Sequence, residues 1–280
     1  LVGSEGTLAY STAIELKLWP LPAKKIMGIC HFPTFYQAMD AAQHLVTLDP
    51  VAVELVDDTM IELARSIPIF QPTVEEAVRG DPAALLLVEF AEEDMAENER
   101  RLRQLHEMMG DLGFGWDKGA AWRGGVVDAI EPGVQGRIAE WRKSGLNIMM
   151  SEKSEAKPVS FLEDCAVELK DLAEYTEKLT AIFDRKGVKG TWYAHASVGC
   201  LHVRPVLNMK QAGGAETMRA IAEEAFELVR SFGGSHSGEH GDGIVRSEFN
   251  DRMFGPVLPD LFRQVKAMFC LLYTSPSPRD

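Results

Sequence analysis

The sequence predicts an α+β fold, because segments with the two-residue period of strands alternate with amphipathic helices. Residues 14–18 alternate apolar and polar side chains, and residues 84–90 form a nearly continuous apolar run suited to the centre of a sheet. Apolar residues recur at helical spacing over residues 91–109, 169–183 and 215–232. The order β-α-β, then β-α, then β-α-β-β-α indicates helices that cover one face of a mixed or antiparallel sheet.

The shorter segments complete this pattern. Further strands are expected at residues 9–18, 25–31, 51–56, 158–166, 190–196 and 201–207, and further helices at residues 34–46 and 58–66. The glycine-rich residues 113–125 are expected to form a loop. Pro20 and Pro22 end the first strand and mark a candidate domain boundary.

Composition excludes several classes of protein. The 280 residues are 46% hydrophobic and 25% charged, which is typical of a globular chain and not of a disordered one. Lys and Arg number 29 against 42 Asp and Glu, and the net charge of −13 argues against a nucleic-acid partner. The apolar runs are too short to span a bilayer, so we expect no transmembrane segment. Four well-separated cysteines are typical of reduced thiols in the cytoplasm.

Both ends of the chain indicate a fragment. The sequence opens at Leu1 without an initiator methionine, and residues 270–280 look like a translated sequencing adapter that follows an amphipathic segment abruptly. We therefore expect three parts, with boundaries at residues 1–22, 23–269 and 270–280.

His195 and His202 are candidate metal ligands. A tight turn at Val198 and Gly199 would place residue 195 opposite residue 202 in a hairpin, with Cβ atoms about 5 Å apart. Two imidazoles at that distance can hold one metal ion. On spacing alone, two unrelated histidines in a hairpin are the simpler interpretation.

A second polar segment carries Glu239 and His240 in a loop of small residues. The carboxylate of Glu239 is a candidate third ligand, and His240 is a candidate general base. His236 and Asp242 lie in the same glycine-punctuated loop, and a second loop carries two more histidines, so a functional site and a solvated polar turn are equally open interpretations.

Arg142 and Lys157 are candidate carboxylate contacts. Near a metal, the guanidinium of Arg142 would offer a bidentate fork and Lys157 a point charge. Taken alone, each is most simply a surface charge. The glycine-flanked turn at residues 2–8 can bind an anion through its N–H groups, or can be a plain tight turn.

Several motifs resemble those of FAD-linked D-2-hydroxyacid dehydrogenases. They are Glu-Asp-Cys-Ala-Val at residues 163–167, the hairpin at residues 195–202, and Ser-Gly-Glu-His-Gly-Asp-Gly at residues 237–243. Residues 3–8, followed by residues 12–22, resemble the end of the FAD-binding domain in flavoproteins of the vanillyl-alcohol oxidase type. The group includes D-lactate dehydrogenases, glycolate oxidase flavin subunits and D-2-hydroxyglutarate dehydrogenases. The resemblance covers nearly all of residues 1–269.

The resemblance implies an architecture and a set of site residues. Residues 23–269 would be a ferredoxin-like cap domain with a mostly antiparallel sheet, and residues 1–22 the last strands of an FAD-binding domain. Metal ligands, usually of zinc or manganese, are implied at three residues, and a general base, substrate contacts and a flavin-contacting turn at others. The ligands would be His195, His202 and Glu239; the base His240; the substrate contacts Arg142 and Lys157; and the turn would include Gly3, Ser4, Gly6 and Thr7.

The reaction that the resemblance implies is oxidation of a D-2-hydroxy acid to the 2-oxo acid, with hydride passing to FAD. The electron acceptor would be a quinone, a cytochrome or an iron–sulfur protein. The location would be cytoplasmic, or peripheral to the membrane where the acceptor lies there. As a fragment, the chain alone is expected to be inactive.

The sequence departs from the family pattern in one motif. The usual His-x-Gly-Asp-Gly-Asn-x-His is His-Ala-Ser-Val-Gly-Cys-Leu-His at residues 195–202, so the identity of the hydroxy acid stays open. Residues 199–205 resemble longer members that are fused to an iron–sulfur domain. The rival interpretation is a non-catalytic ferredoxin-like binding module that retains these motifs, and stoichiometric metal in the purified chain would separate the two.

Overall fold

The computed structural model describes residues 10–18, 21, 24–116, 123–151 and 153–269. The strands of this part are β1 (Ile26–Phe32), β2 (Ala52–Asp57), β3 (Ala84–Phe90), β4 (Gly125–Ala129), β5 (Lys157–Pro158), β6 (Cys165–Ala166), β7 (Gly190–His195) and β8 (Cys200–Leu207). The helices are α1 (Phe35–Leu45), α2 (Asp58–Arg65), α3 (Gln71–Ala77), α4 (Met95–Asp111), α5 (Pro132–Lys143), α6 (Gly145–Met150), α7 (Leu172–Arg185), α8 (Gly214–Ser231), α9 (Gly243–Arg246), α10 (Asn250–Phe254) and α11 (Val257–Met268).

The strands form one sheet in the order β4-β1-β3-β2-β7-β8-β5, with β6 paired beside β8. Neighbouring strands are antiparallel at each described pairing. The first four strands, with α1 and α4 between them, follow the β-α-β-β-α-β order of a ferredoxin-like unit. The β7–β8 hairpin extends that unit at β2. The α+β prediction with a mostly antiparallel sheet is therefore confirmed.

Helices cover both faces of the sheet. Packed against one face are α1, α4, α7 and α8, whose apolar residues share a core with Cys30 and Leu86. The other face packs against α2, α3, α5 and α6, around Ile29 and Leu87. The expectation of helices on one face was wrong, because α3, α5 and α6 carry little helical periodicity. Strand β1 is buried along its whole length, which requires cover on both sides.

Several predicted segments differ in the structure. Residues 10–18 are exposed and form no strand, since no described strand lies beside them to complete a ladder. The predicted strand at 158–166 is two short strands, because Asp164 adopts a positive φ of 90° just before β6. Strand β4 begins inside the segment expected to be a loop.

Some predictions fall on residues that the structure does not describe. The flavin-contacting turn of Gly3, Ser4, Gly6 and Thr7 lies outside the described residues, as does the tail at residues 270–280. Among the described residues, none of the helices combines the length and the apolar character needed to cross a membrane.

Candidate active site

The site is built on the face of the sheet that α2, α5 and α6 cover. Strands β2, β7 and β8 lie side by side, with Glu54 opposite His195 and Tyr193 opposite His202. Because side chains alternate along a strand, these four residues share one face. The sheet register alone therefore brings two histidines and a carboxylate together.

The hairpin register differs from the expectation. His195 pairs with Cys200, and not with His202. A short 3-10 turn precedes Gly199, whose φ of 68° and close approach to the carbonyl of Val167 exclude a Cβ, which would lie 2.1 Å from that oxygen. The histidines are nevertheless diagonal neighbours on one face, with ring centroids 5.2 Å apart and ring planes perpendicular.

Glu239 joins the two histidines from the loop after α8. Its Oε1 lies 3.5 Å from His195 Nε2 and 3.1 Å from His202 Nε2. The three candidate ligand atoms all lie within 4.8 Å of one another. The residues that the sequence proposed as metal ligands thus converge on one point.

Asp164 holds that loop in place. Its buried carboxylate accepts hydrogen bonds from the backbone N–H groups of Glu239 at 2.8 Å and His240 at 2.9 Å, and from the Ser237 hydroxyl at 2.8 Å. Burial raises the pKa of Asp164, but these hydrogen bonds outweigh burial, and the pKa lies below its usual range. Asp164 therefore stays ionised and fixes the position from which Glu239 reaches the histidines.

His240 does not turn away from Glu239, as expected for neighbours on an extended segment. Its Nε2 lies 3.1 Å from Glu239 Oε1, and its ring stacks on His202 with centroids 5.2 Å apart. The extended-segment argument was wrong because the loop bends: both backbone N–H groups point at Asp164, and Gly241 follows with a φ of 82°. The side chain of His240 is 48% exposed, so it stands at the solvent side of the cluster.

Glu54 is a site residue that the sequence argument missed. Both of its oxygens lie 3.0 Å from His195 Nδ1. Its Oε2 also accepts a hydrogen bond from Nη2 of Arg142, in the last turn of α5. The available signal was a lone glutamate on the otherwise apolar inner part of β2.

A second carboxylate, Glu163, lies behind His202. Its Oε1 is 3.8 Å from His202 Nδ1, and it accepts hydrogen bonds from Ser160, Tyr193 and Arg204. Burial raises the pKa of Glu163, but these three hydrogen bonds hold it below its usual range. The Tyr193 ring stacks on His202 with centroids 4.8 Å apart, so His202 is enclosed between Tyr193 and His240.

These residues border a cavity of about 220 Å³. Its lining residues are Arg142, Lys143, Gly145, Leu146, Tyr193, His195, His202, Glu239 and His240. Arg142 is therefore at the cavity, as the clamp hypothesis requires.

Lys157 does not line that cavity. It begins β5, where it pairs with Leu207 of β8. Leu207 lies an odd number of residues along β8 from His202, so it faces the other side of the sheet, and Lys157, as its cross-strand partner, faces that side too. The structure brings Arg142 to the histidines and leaves Lys157 elsewhere at the sheet edge.

The donor set fits a divalent metal of the zinc or manganese type. Two imidazole nitrogens and one carboxylate oxygen are ligands that both metals accept. Burial lowers the pKa of His202, which favours the neutral ring that can bind a metal. Carboxylates lie on the Nδ1 side of both rings, and both Nε2 atoms face Glu239.

A profile of one known family matches most of the chain. It is described as FAD linked oxidases, C-terminal domain, and it matches residues 21–269. The chain belongs to this family. The resemblance seen in the motifs is therefore confirmed.

Relatives of known function extend the comparison. D-2-hydroxyglutarate dehydrogenases of Pantoea ananatis and Escherichia coli are 31% and 32% identical to the chain, and each alignment covers 96% of the chain. A D-lactate dehydrogenase of Archaeoglobus fulgidus is 26% identical, also over 96% of the chain. The chain spans 26% of the length of the first two relatives and 54% of the third.

Solved structures show the same fold. p-Cresol methylhydroxylase with bound substrate superimposes with a TM-score of 0.60 at 13% identity, covering 89% of this chain and 51% of the other. A 4-ethylphenol oxidase from Gulosibacter chungangensis gives a TM-score of 0.58 at 10% identity, covering 90% and 53%. At such identities the likeness concerns the fold alone.

Proposed function

We propose that this chain is the substrate-binding and metal-binding part of an FAD-linked dehydrogenase that oxidises a D-2-hydroxy acid to the 2-oxo acid. The observation that carries the proposal is the convergence of His195, His202 and Glu239 beside Arg142 and His240. The relatives named D-2-hydroxyglutarate and D-lactate dehydrogenases support this class of substrate.

The reaction removes a hydride from C2 of the substrate and a proton from the C2 hydroxyl. FAD would accept the hydride, and a divalent metal held by His195, His202 and Glu239 would lower the pKa of the hydroxyl. His240 would take the proton, because its ring lines the cavity beside the ligand cluster and stands at the solvent side of that cluster. The alternative role for His240 is a fourth ligand.

Arg142 would bind the substrate carboxylate. Its guanidinium lines the cavity and is held there by Glu54, so it can present a fork towards the histidines. Lys157, the second contact expected from the sequence, is not part of this proposal, because it pairs with Leu207, which faces the other side of the sheet. Contacts of Gly3, Ser4, Gly6 and Thr7 with FAD belong to the same proposal.

The remaining partners follow from this class of enzyme. Electrons would leave FAD for a quinone, a cytochrome or an iron–sulfur protein, and a further iron–sulfur domain in the complete protein would serve that step. The enzyme would act in the cytoplasm or at the membrane surface.

Metal content of the purified chain tests the metal site. We expect one zinc or manganese ion per chain, measured by mass spectrometry of the metal, and its loss in His202→Ala. His106→Ala is the matched control, because His106 pairs with Asp128 of β4, at the opposite edge of the sheet. A wild-type chain that binds neither metal would favour the non-catalytic binding module.

The role of His240 needs the complete protein with FAD. As the base, His240→Ala would retain the metal and slow flavin reduction by roughly 10²–10⁴. As a ligand, the same variant would lose the metal. Unchanged flavin reduction would remove His240 from the chemistry.

A further inference from the structure

Glu54 is a carboxylate for which the proposed reaction has no direct use. It lies on β2, directly opposite His195 in the sheet register, and its side chain is only 19% exposed. Its two oxygens contact His195 Nδ1, and one of them also accepts a hydrogen bond from Arg142. One carboxylate therefore touches both a candidate ligand and the candidate substrate clamp.

The contact with Glu54 determines which nitrogen of His195 carries hydrogen. An ionised carboxylate can only accept hydrogen bonds, so Nδ1, 3.0 Å from both oxygens, donates to Glu54. The Nη2 of Arg142 lies farther from Nδ1, at 3.4 Å, and donates to Glu54 instead, so it does not require a lone pair on Nδ1. In a neutral ring the other nitrogen, Nε2, then has a lone pair, and it faces Glu239 Oε1 at 3.5 Å. Two lone pairs that face each other at this distance favour a shared cation.

We propose that Glu54 is a positioning residue that holds His195 as its Nδ1–H tautomer, with Nε2 directed at the metal, and holds Arg142 beside it. The inference rests on the proposed function, because it concerns the same site. Outer carboxylates of this kind orient a ligating imidazole and raise its basicity, and their loss typically weakens metal binding by roughly 10- to 100-fold.

Glu89 offers a closely matched control. It lies on the neighbouring strand β3, its side chain is 20% exposed, and it pairs with Lys25 Nζ at 2.7 Å. It does not line the cavity. Glu89 is a diagonal neighbour of Glu54 on the same sheet face, but it pairs with Lys25 and not with His195 or Arg142. The change Glu89→Gln therefore removes the same charge from an equally exposed strand residue without touching the proposed contacts.

Manganese titration of the 280-residue chain, followed by the electron paramagnetic resonance of free Mn²⁺, tests the proposal. We expect Glu54→Gln to weaken binding by about tenfold, Glu54→Met by up to about a hundredfold, and Glu89→Gln to leave it unchanged. Glu54→Asp should recover part of the loss. His202→Ala should not bind Mn²⁺ at all.

The outcomes separate this inference from the proposed function. If Glu54→Gln and Glu54→Met bind Mn²⁺ as tightly as the wild type while His202→Ala does not bind, the positioning role is wrong and the metal site stands. If the wild-type chain binds neither Mn²⁺ nor Zn²⁺, the metal site is wrong, and this inference fails with it.

Nitrogen-15 NMR of the imidazoles gives a readout without metal. In mildly alkaline solution, the His195 ring of the wild type should show a protonated Nδ1, and Glu54→Met should shift the ring towards the Nε2–H form. His202 serves as the internal reference. A wild-type His195 that already carries its hydrogen on Nε2 would overturn the proposal.

Discussion

Replacing Asp164 by asparagine should release the loop that carries Glu239 and His240. The carboxylate accepts hydrogen bonds from both backbone N–H groups and from the Ser237 hydroxyl, all within 2.9 Å. A side-chain amide keeps one accepting oxygen, and its NH₂ group must then face donors. Whichever way that amide is turned, at least one of these donors loses the partner that the buried Asp164 side chain provides.

The magnitude follows from the number of bonds involved. A hydrogen bond to a charged group contributes about 1.5–3 kcal/mol, and a buried donor left unpaired costs a similar amount. Loss of one or two bonds therefore gives a decrease of about 3–5 kcal/mol in the free energy of unfolding. If the loop opens without global unfolding, the free energy of this local opening decreases by the same amount. Amide exchange at Glu239 and His240 should then be faster by about a hundredfold or more.

Urea denaturation and amide hydrogen exchange measure the two quantities. The control is Asp49→Asn, the same change at a residue that also has a positive φ, of 53°, but whose side chain is 93% exposed. We expect the control to stay within about 0.5 kcal/mol of the wild type. If Asp164→Asn does the same, and the exchange of both amides is unchanged, the anchoring role of Asp164 is refuted.

Three further changes test other parts of the structure. Burial lowers the pKa of His31 to about 4, so the unfolded chain takes up this proton first as the pH falls below about 6.5. The free energy of unfolding should therefore drop by up to about 3 kcal/mol by pH ~4. In His31→Gln, the unfolding free energy measured by urea denaturation should fall less steeply with decreasing pH; the same pH dependence in both proteins would contradict this. Gly199→Ala should cost about 3 kcal/mol or more, because its Cβ would collide with the Val167 carbonyl at a positive φ; a loss below about 1 kcal/mol would argue against this geometry. In the complete protein, Arg142→Lys should raise KM and lower turnover, since an ammonium group cannot make the two parallel hydrogen bonds that a guanidinium makes to a carboxylate. Unchanged kinetics would exclude Arg142 as the substrate-carboxylate contact.

Elements with a strong periodic pattern were predictable from the sequence. Strand β3 was predicted with the observed bounds, Ala84–Phe90, because a continuous apolar run of that length suits a strand buried on both faces. Helix α5 was missed, because Gly133 and Gly136 interrupt its pattern and it starts at a proline. Its burial comes from the sheet face that it covers, and a local pattern does not contain that information.

The candidate site was predictable where its residues lie in motifs, and not where they act from a distance in sequence. The three proposed ligands were named from the sequence, and the structure brings them together. Their hairpin register was wrong by two residues, because the 3-10 turn before Gly199 lengthens the connection. Glu54 was missed because its role depends on pairing with His195, which only the order of the sheet creates.

Because the proposed metal site depends on sheet order, an ion bound there would link metal supply to the persistence of the folded chain. Glu54 comes from the ferredoxin-like half, the histidines from the added hairpin, and Glu239 from a loop after α8. An ion shared by these segments would bind the native state and not the unfolded one. At a free concentration of about one hundred times Kd, it would add about 2.7 kcal/mol to the free energy of unfolding. Under metal starvation, a larger fraction of the chain would then be unfolded and open to proteolysis.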